Sequence, residues 1–156
     1  MTTDLPDPTP AGSAGGMTLF VALIGFGEAG STFARAGNWG AQASAYDIDQ
    51  ARQTAMAVAG VPIAVTLAEA LDGALVVLSL VTADQALKAA LVGAAHLSAG
   101  ALWCDMNSVS PDTKRAAARA VTAAGGRYVD VAVLAPVDPA GLAVPLLLAE
   151  IGRAHV

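Results

Sequence analysis

Three glycines, Gly25, Gly27 and Gly30, stand in the spacing G-x-G-x-x-G, and a carboxylate, Asp47, follows the first of them by 22 residues. Glycines so spaced bring bare backbone up to a phosphate group. Gly25 permits a sharp turn, Gly27 lets the main chain approach a pyrophosphate with no Cβ between, and Gly30 lets a helix pack closely on a strand. The amides around them, those of Phe26, Glu28 and Ala29 included, then face phosphate oxygens with the positive end of a helix dipole behind them. An acid at position 47 accepts hydrogen bonds from two ribose hydroxyls and repels a 2′-phosphate, which favours NAD over NADP. The spacing alone is weak evidence in a chain with 16 glycines. The plainer reading of Asp47 is a loop carboxylate at a strand end, and Asp49 could share or replace its role.

The elements that must position these residues are legible around them. Phe20 to Ile24 is too short an apolar run for a helix before Gly25, and a helical pattern begins at Glu28 and ends near Gly37. Ala41 to Tyr46 reads as a second strand that delivers Asp47. A strand, a glycine turn, a helix, a strand and an acid make the setting in which the spacing acquires meaning.

The alternation continues. Gln50 to Ala59 has helical composition, and Val61 to Val65 reads as a short strand-like piece. Thr66 and Glu69 form a capping box for a short helix to Leu71. Ala74 to Val81 is apolar on both faces, as a central parallel strand must be, and its end lies beside the crevice where ligands bind in open α/β sheets. A helix follows from Ala83 to about Leu97, then a buried strand from Ala101 to Asp105. Ser110 and Pro111 open a helix as N-cap and first residue, and Gly125 and Gly126 close it. Tyr128 to Leu134 is a further strand, and Leu142 to Ala149, interrupted by Pro145, an edge strand. The expectation is α/β, a Rossmann-type doubly wound parallel sheet in a single domain.

Composition bounds the rest. Of the 156 residues, 55% are hydrophobic and 13% charged, with a net charge of −5. The scattered basic residues offer no patch for a nucleic-acid backbone, and no apolar stretch is long enough to span a bilayer. One cysteine, Cys104, fits a reducing cytoplasm and reads as a buried structural thiol. Residues 1–16, rich in proline, glycine, serine and threonine, read as a disordered tail, and Met17 is a candidate start of translation. No His/Cys cluster has metal spacing, and no paired carboxylates suggest hydrolysis. Lys88 and Lys114 read as solvated charges on amphipathic helices, and His96 as a helix-end polar residue.

Three further stretches, with the glycine loop, resemble the β-hydroxyacid dehydrogenase family, which includes 6-phosphogluconate and 3-hydroxyisobutyrate dehydrogenases. V-V-L-S-L-V is similar to the family's strand over the nicotinamide ribose, which implicates Leu80 and Val81. D-M-N-S-V-S-P, from Asp105 to Pro111, is similar to D-x-x-[ST]-x-x-P, whose polar pair, here Asn107 and Ser108, faces nicotinamide and substrate. Y-V-D-V-A-V-L-A-P-V is similar to the substrate segment D-A-P-V-S-G-G. Asp130 and Val133 agree there, whereas Leu134, Ala135 and Pro136 replace Ser-Gly-Gly, which leaves the substrate class open. The resemblance spans Leu19 to Ala149 and implies the NAD(P)-binding domain of an oxidoreductase acting on the CH-OH group of a small hydroxy acid.

It also implies what lies elsewhere. The family's general acid/base is a lysine in a G-x-x-G-x-x-x-K setting, borne by a helical second domain through which related enzymes form homodimers. Neither lysine of this chain has that setting, so the expectation is a domain, residues 17–149, that binds cofactor without turnover. Glu150 to Val156, E-I-G-R-A-H-V, reads as the translation of a sequencing adapter and hence as a non-native tail. Two rivals stand beside this reading: an S-adenosylmethionine-dependent methyltransferase-like domain, and a stand-alone module that binds NAD(H) without catalysis or a different reductase with the same first half. The first usually carries an acid just before the first glycine, where this chain has Leu23 and Ile24.

Overall fold

The computed structural model describes residues 18–151. The tail at 1–16, the candidate start at Met17 and most of the 150–156 segment, Arg153 and His155 included, lie outside them.

Six strands among the described residues form one sheet in the order β2-β1-β3-β4-β5-β6. They are β1 (Val21–Ile24), β2 (Ala43–Tyr46), β3 (Val76–Ser79), β4 (Leu102–Asp105), β5 (Arg127–Val133) and β6 (Leu146–Ile151). The first five run parallel. Parallel neighbours need a crossover, supplied by α1 (Glu28–Gly37), α2 (Gln53–Val58), α3 (Leu67–Leu71), α4 (Ala83–Ala94) and α5 (Pro111–Ala123). Because β2 lies on one side of β1 and β3 on the other, the strand order reverses at β1, and a crevice opens there at the carboxyl ends.

β1 is buried along its length, and its alternating side chains feed two cores. Ala22 and Ile24 pack with Leu71, Trp103, Val121 and Tyr128 on one face. Val21 and Leu23 pack with Phe26, Ala34 and Met56 on the other. Such two-sided burial requires the continuous apolar runs of the central strands.

The capping signals act as expected, with one shift. Ser110 Oγ accepts from Thr113 N at the start of α5. Thr66 Oγ1 accepts from Glu69 N, but Glu69 reaches back to Val65 N rather than to the cap's own amide.

Three expectations are corrected. The 61–65 piece makes only an isolated bridge from Ile63 to Ala45, because Pro62 has no N–H to extend a ladder. The sheet is not wholly parallel: β6 runs antiparallel to β5. Only single helical turns intervene between them, too little for a crossover back to the other edge. The edge strand begins after Pro145 and continues through Glu150 and Ile151, where Arg127 Nε meets Glu150 Oε1 at 3.2 Å.

Candidate cofactor-binding site

The three glycines occupy three different steric situations. Gly25 follows β1 with φ +94°, and a Cβ there would lie 2.3 Å from the Leu80 carbonyl oxygen. A Cβ at Gly30 would lie 2.4 Å from the Gly25 carbonyl oxygen, which is the close contact of helix and turn. At Gly27 an added Cβ would meet nothing within 4 Å, so the protein itself does not demand glycine at that position. Gly27 is the N-cap of α1 and supplies no side-chain cap, while Glu28 places an exposed carboxylate in the first turn. The first amides of α1 therefore have no side-chain cap, and Gly27 at their head stands on the cavity wall.

Asp47 is the second anchor. Its Oδ2 accepts from Phe26 N at 2.7 Å, so that amide, expected to face a phosphate, is committed to Asp47 instead, and its Oδ1 accepts from Asp49 N at 2.8 Å. Each oxygen keeps a lone pair, so the carboxylate is held in place yet still able to accept. Gly25, Gly27, Asp47, Leu80 and Val81 line one cavity of about 450 Å³, with Asp49, Arg52, Thr82, Gln85 and Lys88 on the same walls. Lys88 is exposed, as its helix pattern predicts, and it also stands on the cavity wall. His96 is exposed just past the end of α4.

Asn107 and Ser108 are not on that wall. Asn107 is buried, and its Nδ2 donates to Ser79 Oγ at 3.1 Å and to Asp105 Oδ1 at 2.8 Å. Ser108 is exposed in the turn between β4 and α5. Both follow β4, on the far side of β3 from Asp47.

Lys114 is the main correction among the side chains. It is not a solvated charge but a buried one, 5% exposed. Its Nζ donates to Asp105 O at 3.0 Å and Oδ1 at 3.1 Å, and meets Asp130 Oδ1 at 2.9 Å. Tyr128 OH donates to Asp105 Oδ2 at 2.6 Å. Burial, reinforced by that hydrogen bond and by the charges of Asp105 and Asp130, holds the Tyr128 phenol well above its ordinary value. The missed signal was periodicity: Lys114 shares the inward stripe of α5 with Ala117, Ala118 and Val121. Asp105 and Asp130, at matched positions of adjacent strands, were the partners that make its burial affordable.

Residues 20–141 match the model of the NAD binding domain of 6-phosphogluconate dehydrogenase. The chain belongs to that family. A conserved hypothetical protein of Sinorhizobium meliloti 1021 is 38% identical with a TM-score of 0.77, covering 85% of this chain and 47% of its own. A conserved protein described as structurally similar to 3-hydroxyacid dehydrogenases is 27% identical with a TM-score of 0.71, covering 83% of this chain and 49% of its own. The 3-hydroxyisobutyrate dehydrogenase of Mycobacterium tuberculosis, at 21% identity, shares the fold with a TM-score of 0.73, covering 86% of this chain and 46% of its own. The chain thus spans about half the length of the solved structures it matches. No curated protein matches it.

As an NAD-binding domain of an oxidoreductase family, the chain has a crevice whose donor set fits a dinucleotide. Gly27 leaves open space on the cavity wall where a Cβ would otherwise project, and the carboxylate at Asp47 is preset. Cys104, by contrast, is half-buried and its thiol is pushed up to about 11 by burial, which leaves it protonated and unreactive at neutral pH. Among the described residues no helix is long and apolar enough to cross a membrane, and no group of three metal-ligating side chains stands together.

Proposed function

We propose that this chain is the cofactor-binding half of a cytoplasmic NAD(P)-dependent dehydrogenase that acts on the CH-OH group of a small hydroxy acid. The single observation that carries it is the pairing, on one cavity, of a glycine that only a ligand would require, Gly27, with a carboxylate locked in a receptive pose, Asp47.

When bound, the dinucleotide supplies the nicotinamide carbon that accepts or returns a hydride. The chain's own residues hold it. The amides of Gly27, Glu28 and Ala29 donate to the pyrophosphate at the end of α1, helped by about 0.3–1 kcal/mol of helix-dipole attraction. Gly25 and Gly30 set the turn, and the Phe26 amide ties it to Asp47. Asp47 accepts the ribose hydroxyls and repels a 2′-phosphate, which makes NAD the preferred form. Leu80 and Val81 would keep water from the cofactor's flank, and Asn107 and Ser108, after β4, would face its nicotinamide and the substrate.

Neither lysine is placed to move a proton in a substrate. Lys88 is exposed on α4, and Lys114 has its three N–H donors committed to two aspartates. The resemblance to the β-hydroxyacid dehydrogenases assigns the general acid/base to a lysine of a helical second domain, through which a homodimer would form. On the same reading the domain at 17–149 is followed by adapter read-through at 150–156, of which Glu150 and Ile151 only extend β6, and sequencing of the source past codon 149 tests this.

Titrating the chain with NADH, NADPH and S-adenosylmethionine tests the binding. NADH is expected to saturate one site, NADPH to bind more weakly and S-adenosylmethionine not at all. Tight binding of S-adenosylmethionine with none of the dinucleotides overturns the reading. Steady NAD(P)H production by this chain from any hydroxy acid overturns the assignment of the acid/base elsewhere.

A further inference from the structure

A single buried ammonium joins the polypeptide that leaves β4 to the strand beside it. Lys114 Nζ binds the main-chain oxygen and Oδ1 of Asp105, the last residue of β4, and Oδ1 of Asp130 in β5. Asp105 Oδ1 also accepts from the main-chain N of Asn107 at 3.0 Å and from its side-chain Nδ2 at 2.8 Å, and that Nδ2 reaches Ser79 at the end of β3. Lys114 therefore sets Asp105, Asp105 sets Asn107, and Asn107 fixes the turn against β3.

Stability is a poor reason for such a cluster. Removing an ammonium and a carboxylate from water costs several kcal/mol per ion, and apolar residues of like volume often serve stability equally well. A defined position for the turn is the better reason. The strand order shows what the turn would meet. A dinucleotide with its pyrophosphate at α1 and its adenosine ribose at Asp47, on the β2 side, must send its other half across the crevice over the ends of β3 and β4.

We propose that Lys114 is a positioning residue for the nicotinamide half of the cofactor, acting through Asp105 and Asn107, with Asp130 as its brace. The proposal rests on the reading that the chain binds a dinucleotide. It predicts that the cluster matters for the nicotinamide ring and not for the ADP-ribose part of the ligand.

The test compares NADH with ADP-ribose, which lacks the nicotinamide, on the full chain and on Lys114→Met and Asp130→Asn. Where the chain selects the phosphorylated cofactor, NADPH and 2′-phospho-ADP-ribose take their places. Asp130 is 34% exposed in its side chain, so Asp130→Asn loosens the brace while leaving the Lys114 to Asp105 contact in place. The expected result is an NADH Kd raised about tenfold in Lys114→Met and by a smaller factor in Asp130→Asn, with the ADP-ribose Kd unchanged within about twofold. If Lys114→Met does not fold, Asp130→Asn decides. Folded variants that keep the wild-type ratio of the two affinities overturn the proposal, whether both affinities fall together or neither moves. Failure of the wild-type chain to bind either probe overturns the dinucleotide reading itself, a result distinct from an unchanged ratio.

Discussion

The main-chain N–H of Phe26 donates to Asp47 Oδ2 at 2.7 Å, joining the glycine turn after β1 to the acid after β2 across 21 positions of sequence. The contact makes the two recognition elements one rigid unit, so the carboxylate does not have to be ordered when ligand arrives. Asp47→Asn keeps an acceptor for Phe26 but removes the charge. Hydrogen bonds to charged groups are worth about 1.5–3 kcal/mol against 0.5–1.5 for neutral ones. NADH affinity is expected to fall about tenfold while the preference over NADPH shrinks, measured by fluorescence titration with both cofactors.

The glycines separate fold from ligand. Gly25→Ala forces a Cβ onto the Leu80 carbonyl at positive φ, and a loss of at least about 2 kcal/mol is expected in urea unfolding. Gly27→Ala meets no protein atom, so stability should hold within about 0.5 kcal/mol while NADH affinity drops about tenfold or more. Equal effects of the two substitutions on stability would contradict this division.

Tyr128 gives the fold an alkaline limit. Its ordinary value is 10.0, and burial, with Asp105 and Asp130 beside it, holds the folded-state value well above that. Above pH 10 the unfolded chain loses the phenol proton while the folded chain keeps it, so the contribution present below pH 10 is lost as pH rises. The slope is about 1.4 kcal/mol per pH unit for one such group. Tyr128→Phe should flatten that part of the pH profile of urea unfolding between pH 10 and 11, even though it loses the bond to Asp105.

Cys104 should be nearly inert in the folded chain. With the thiol pushed from 9.0 to about 11, its thiolate population near neutral pH falls on the order of a hundredfold. Labelling by an aromatic disulfide at pH 8 should follow urea unfolding rather than precede it. Rapid labelling of the native chain would show a thiol more accessible than its half-buried setting allows.

The glycine turn, the two strands beside it and Asp47 were legible because each carries a local signal: a glycine where backbone crowds, an apolar run with no room for a helix, an acid at a strand end. The Ser110 and Pro111 helix start was legible for the same reason. Lys114 was not, because a lysine among alanines looks like a solvated face until its partners on β4 and β5 are brought beside it. The inward stripe of Lys114, Ala117, Ala118 and Val121 was the available clue. The direction of β6 was hidden too, since periodicity distinguishes a strand from a helix but not a parallel neighbour from an antiparallel one.

The most direct test of the central claim is an amide NMR titration of the chain with NADH. Saturable shifts in Gly25, Gly27, Ile48 and Val81, which line one cavity, and in Glu28 and Ala29 at the start of α1, all with one affinity, are the predicted result. An absence of saturable shifts with NADH and NADPH alike would contradict it. So would shifts centred on another surface, such as the groove at Arg115 and Arg119 on α5.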